Sequence, residues 1–121
     1  MSDPSPSLRC DVTERDNAVV LSLAGRSNPT EAEKLDEAID DAVRRASELI
    51  IVDLSGLEHI GSFGIGAMIR LEKDAASRHA AVRIAAPSDH VMDLFVKSRL
   101  DQKLPIFPTV EAALVRPAGK R

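Results

Sequence analysis

The sequence predicts a single α/β domain built on a mixed sheet, with its elements in the order β-β-α-β-α-β-α-β-α. Three observations carry this. The run Leu49-Ile50-Ile51-Val52 is continuously apolar and bounded by Asp53 and Gly56, which suits a strand covered on both faces. Downstream of an opening hairpin, strand-length apolar runs alternate with segments whose apolar residues recur at helical spacing, the pattern of an α/β fold. The opening hairpin itself is two strand-like runs separated only by a polar turn.

In chain order, residues 1–8 carry Pro4 and Pro6 among serines and are expected to form a disordered leader. From Arg9, CDVT, the turn Glu14-Arg15-Asp16-Asn17 and AVVLSLAG form the hairpin, with Val19, Leu21 and Leu23 on one face and Gly25 closing the second strand. Asn28-Pro29-Thr30-Glu31 starts a helix. Asn caps it, Pro fits the first position because its missing N–H costs nothing there, and Glu31 follows the cap by three residues. The apolar stripe of this helix is Leu35, Ile39, Ala42, Val43 and Ala46; Glu33, Lys34, Asp36, Glu37, Asp40, Asp41, Arg44 and Arg45 form a solvated face.

The apolar strand follows and empties through a loop into a second helix, with Gly61-Ser62-Phe63-Gly64 at the junction. Ile65, Met68, Ile69 and Ala76 recur at helical spacing, and the helix runs to about Arg78. Ala81–Ala86 is a short strand stopped by Pro87, after which Ser88 or Asp89 caps a third helix with Val91, Met92, Leu94 and Phe95 inward. Leu104-Pro105-Ile106-Phe107-Pro108 is a strand that its prolines confine to a sheet edge. Thr109 caps a last short helix, the domain spans 9–115, and the basic tail 116–121 is expected to fray.

At 121 residues, with 44% hydrophobic and 29% charged side chains, the composition is that of one globular domain. Aromatics make up 2% with no Trp or Tyr, so the core is aliphatic and base stacking is disfavoured. A net charge of −3 gives no reason to expect phosphate-backbone or anionic-membrane binding. Cys10 is the single cysteine; it permits neither an internal disulfide nor a CxxC site and fits a reducing compartment. No apolar run approaches the roughly 18 residues that span a bilayer, and MSDPSPS lacks the layout of a signal peptide, so a cytoplasmic protein without membrane insertion is expected.

The glycine cluster after the apolar strand is spaced GxxGxG through Gly61, Gly64 and Gly66, not GxGxxG, and no GxxxxGK[ST] occurs. Gly61-Ser62-Phe63-Gly64 is GSxG rather than the GxSxG elbow of hydrolases. His59, His79 and His90 are far apart and form no HxxxH or HExxH pair. No catalytic residue, cofactor or metal site is expected. Ser62 stands where a serine serves as a helix cap, worth about 1 kcal/mol. The same free N–H groups favour a phosphate there, and the small neighbours Gly61 and Gly64 leave the hydroxyl approachable. Phe63 is either an exposed apolar anchor beside the serine or a core residue of the second helix.

VDLSGL followed by SxGIG, with the preceding AVVLSLAGR, the later VRIAAPSDHVMDLFVKSRLDQ and the closing PIFPTVEAAL, resembles the STAS domain, in particular bacterial anti-sigma factor antagonists. The resemblance covers about Cys10 to Val115. It implies a STAS-like fold and a phosphorylation-controlled partner switch. The unphosphorylated antagonist binds an anti-sigma factor that is also a serine kinase of the GHKL type, and a PP2C-type phosphatase restores it. By position Ser62 matches the phosphorylated residue. The implied docking surface comprises His59, Gly61, Ser62, Phe63 and Gly64 with Arg26, Ser27 and Asn28. Family members often read DSSG and GELD where this chain has Gly61-Ser62-Phe63-Gly64 and Gly25-Arg26-Ser27-Asn28. A STAS scaffold subunit of a signalling or transport complex, without a phospho-switch, is the alternative.

Overall fold

A computed structural model describes residues 8–26, 29–46 and 48–115. Strands β1 (Leu8–Arg15), β2 (Ala18–Arg26), β3 (Leu49–His59), β4 (Ala81–Ala85) and β5 (Ile106–Phe107) form one sheet in the order β1-β2-β3-β4-β5. β1 runs antiparallel to β2 and all later neighbours are parallel. Helices α1 (Ala32–Arg45), α2 (Ser62–Ala76), α3 (Asp89–Lys97) and α4 (Val110–Leu114) complete the predicted order, with 3-10 turns at Pro29–Glu31 and Leu100–Gln102.

The hairpin is tighter than its sequence suggests. Arg15 pairs with Ala18, leaving Asp16 and Asn17 as a two-residue turn with φ of 51° and 68°. Asp and Asn tolerate this left-handed geometry, which matches the twist of the flanking strands. Glu14 and Arg15 therefore belong to β1, and so does Leu8 at the other end, where it is buried in the core rather than part of a leader.

Because β2 to β5 are laid down in one direction, right-handed crossovers put α1, α2 and α3 on the same face of the sheet. There Leu35, Ile39, Met68, Leu71, Val91 and Phe95 pack on Val19, Leu21, Leu23, Ile50 and Val52. The chain returns beneath the other face as α4, whose Ala113, with Val110 and Leu114, covers Ala18, Val20, Leu49 and Ile51. Alternate residues of β3 thus enter two cores, and Leu49 to Val52 are at most 1% exposed.

Helix boundaries follow local chemistry. Ser88 Oγ accepts from Val91 N at 3.2 Å and Thr109 Oγ1 from Ala112 N at 3.0 Å, as expected of caps. Asn28 lies outside the described residues, and a 3-10 turn precedes α1. α2 ends at Ala76, short of Arg78, and its inward residues are Ala67, Met68, Leu71 and Ala75; Ala76 is exposed. Ala86 has left the strand, with φ of 57°. The charged face of α1 is more than solvated: Arg70 of α2 donates to Asp36 at 3.0 Å and Asp40 at 3.3 Å, and to its own helix's Asp74 at 2.9 Å. On the far face, Arg83 donates to the Ala113 carbonyl at 2.6 Å and the Val115 carbonyl at 3.0 Å, fastening α4.

Beyond Asp53, β3 has no β4 partner and is held by β2 alone, through pairings interrupted by two register shifts. At the first irregularity Gly56 faces Ala24, and a Cβ on Gly56 would stand 2.9 Å from the Ala24 Cβ. Gly56→Ala is expected to destabilise the fold by about 1–3 kcal/mol. Adding Ala24→Gly to remove the clash should recover part of the loss, as the midpoint of urea unfolding will show.

Candidate functional site

The site lies where β3 overruns its neighbour. Leu54, Leu57 and Ile60 remain buried and pin the segment to the core, while Glu58 is exposed and His59 half-buried. Gly61 then takes the cap position of α2 with extended backbone, φ −104° and ψ −173°. Its carbonyl accepts from Ile65 N at 3.0 Å. Ser62 is therefore the first residue of the helix rather than its cap, and its side chain is exposed. Gly61 has no side chain with which to cap α2, and the first turn holds no acidic residue, so no carboxylate of that turn offsets the positive end of the helix.

The side chains around Ser62 divide between core and surface. Gly64 is buried and Phe63 is half-buried, packing part of its ring against the core cluster and leaving part of it exposed. Gly66, one turn from Ser62 on the same face, is exposed, and a Cβ there would meet nothing within 4 Å. Ser62 and Gly66 thus form an open strip. Arg26 ends β2 in register with His59 and is exposed; Ser27 and Asn28 lie outside the described residues.

Beside this strip runs a groove of about 470 Å³ between α2 and α3. Ile60, Ile65 and Leu94 supply apolar wall, and Ser62, His59, His90 and Lys97 its polar groups. His59 Nδ1 lies 3.2 Å from His90 Nε2, and the rings stack with centroids 5.4 Å apart at an interplanar angle of 24°. Sequence spacing gave no hint of this pair. A topological signal existed, because His59 ends β3 and His90 lies in the first turn of the helix after β4, and the carboxyl ends of adjacent parallel strands meet at one edge of the sheet.

Elsewhere, Cys10 is half-buried against α1, and burial pushes its thiol up despite the opposing charge of Lys34. It is thereby a poor nucleophile. Among the described residues no three His, Cys, Asp or Glu side chains gather as metal ligands, and no helix is long and apolar enough to cross a membrane.

The model of the STAS domain family matches residues 9–113. Among solved structures, an anti-sigma factor antagonist from Mycobacterium paratuberculosis is 24% identical, with a TM-score of 0.82 over 94% of this chain and 96% of that one. The Bacillus cell fate determinant SpoIIAA in its phosphorylated form is 19% identical, with a TM-score of 0.69 over 88% and 96%. A sulfate transporter family protein from Wolinella succinogenes is 14% identical, with a TM-score of 0.71 over 84% and 85%. At these identities the likeness is one of fold.

The open strip has a measurable consequence. Gly66 sits in a helix interior with free space above it, so Gly66→Ala should stabilise the domain by about 0.5–1 kcal/mol through backbone entropy alone. An upward shift in thermal midpoint, with an unchanged amide spectrum outside α2, is the expected result.

Proposed function

The chain belongs to the STAS domain family, and on that premise we propose that it is an anti-sigma factor antagonist working as a phosphorylation-controlled partner switch. While Ser62 is unmodified the chain binds an anti-sigma factor that is also a serine kinase of the GHKL type. Phosphorylation ends the complex, and a PP2C-type phosphatase resets it. The switch thereby regulates transcription from the cytoplasm. The observation that carries this reading is the position of Ser62: exposed at the start of a helix whose opposite face is locked in the core and whose first turn holds no acidic residue.

Magnitudes favour an interface mechanism. A phosphate adds roughly −1.5 to −2 charges, and a helix N-terminus stabilises it by about 0.3–1 kcal/mol. That is small against the burial of Met68, Leu71 and Ala75 that fixes α2. Desolvating an unpaired anion in an interface costs several kcal/mol, and each 1.4 kcal/mol weakens binding about tenfold. The proposed docking surface joins Arg26 and the adjoining Ser27 and Asn28 to His59, Gly61 and Ser62. Phe63 and Gly64 contribute from behind by holding the first turn in place.

The fold shared with a sulfate transporter family protein supports a second reading, a STAS scaffold whose associations ignore Ser62. The two readings separate on one experiment. Affinity capture from native extract with the wild type, Ser62→Ala and Ser62→Asp, followed by mass spectrometry of partner and bait, should find a kinase-type partner with the first two only. Phosphate should map to Ser62 in the wild type. Equal capture by all three variants supports the scaffold and rejects the switch.

A further inference from the structure

We infer that His59 and His90 form a phosphate-reading pair for Ser62, in which a phosphate on the serine accepts a hydrogen bond from His59 Nε2 while His90 backs His59. This rests on the proposal that Ser62 is phosphorylated and adds how the chain itself responds. The 3.2 Å separation of His59 Nδ1 and His90 Nε2 is a hydrogen bond, so one ring donates and the other accepts. With His90 as donor, His59 carries its own hydrogen on Nε2. That nitrogen lies outside the pair, 3.9 Å from where a Cβ on Gly61 would stand, beside the residue bonded directly to Ser62. Both rings and Ser62 line the same groove.

What the groove offers a phosphate is ring N–H donors and the capacity of the pair to carry a charge. An imidazolium donates from both ring nitrogens, so a second proton on either ring is compatible with the shared hydrogen bond, and such an imidazole–imidazolium unit would set one positive charge against the phosphate. Lys97, the other cation on the groove, is held by Asp93 at 3.1 Å. Arg26 is in register with His59. The carboxylates next to the pair in sequence are Glu58 and Asp89, one residue from His59 and His90 respectively, and the first turn of α2 has none. His90 lies in the first turn of α3, so the phosphate would tighten the link between the end of β3 and the start of α3. The modified serine would then be read by its own domain as well as by a partner.

The test is a ³¹P NMR titration of the full chain with phosphoserine placed at position 62 during translation, alone and with His59→Gln, His90→Gln or the control His79→Gln. With both histidines present, the second ionisation of the phosphate should fall about 1 pH unit below its value in the His59→Gln chain. His90→Gln should show a smaller change and His79→Gln none, and the His59 ring resonances should titrate higher in the phosphorylated chain than in the unmodified one. Identical phosphate titrations in all four chains would overturn the pair as a phosphate reader. Because translation supplies the phosphate, this outcome does not depend on any cellular kinase; failure of the partner switch appears separately, as equal capture by Ser62→Ala and Ser62→Asp.

Discussion

The structure depends on the burial of β3 on both faces and along both edges. Leu49 and Ile51 enter the core beneath α4, and Ile50 and Val52 the core beneath α1, α2 and α3, while β2 and β4 satisfy the backbone. Each such side chain is worth about 1.5–3 kcal/mol when fully buried. The strand is the rigid member from which the rest hangs. Its overrun past β4, stapled by Leu54, Leu57 and Ile60, carries that rigidity out to Gly61 and Ser62. An exposed residue is thereby held in a defined place without being buried itself.

That arrangement shapes what chemistry the site supports. α2 is anchored by its inward stripe and has no acidic residue in its first turn, so a charge added to Ser62 meets a favourable but weak field. In the proposed switch, the large effect arises where a second body must desolvate the charge, at the surface rather than within the fold. The two histidines add local basic groups at that surface, where Gly61 precedes the serine.

Much of the fold is legible in local sequence, because the deciding interactions are local. Ser88 and Thr109 cap their helices through bonds to residues three positions on. The prolines around Ile106 and Phe107 limit β5 to an edge. Errors collect where a boundary depends on distant packing. Leu8 looks like leader until it is seen to fill the core; Ala76 fits the helical period of α2, yet the register of the helix on the sheet turns Ala75 inward instead. The acidic face of α1 reads as solvated because Arg70, which gathers Asp36 and Asp40, lies on another helix.

The sequence by itself determined the order of elements, the doubly buried strand, the glycine-flanked serine at a helix start and the resemblance to the STAS domain, all properties of short windows with a defined period or spacing. Only the tertiary structure decided that Gly61 rather than Ser62 takes the cap position of α2, that Phe63 packs part of its ring against the core, and that His59 and His90 meet beside the serine. The physical reason is that a parallel sheet brings the carboxyl ends of its strands together across crossover helices. Two rings 31 residues apart in the chain thus come within 3.2 Å, a proximity that no local pattern encodes.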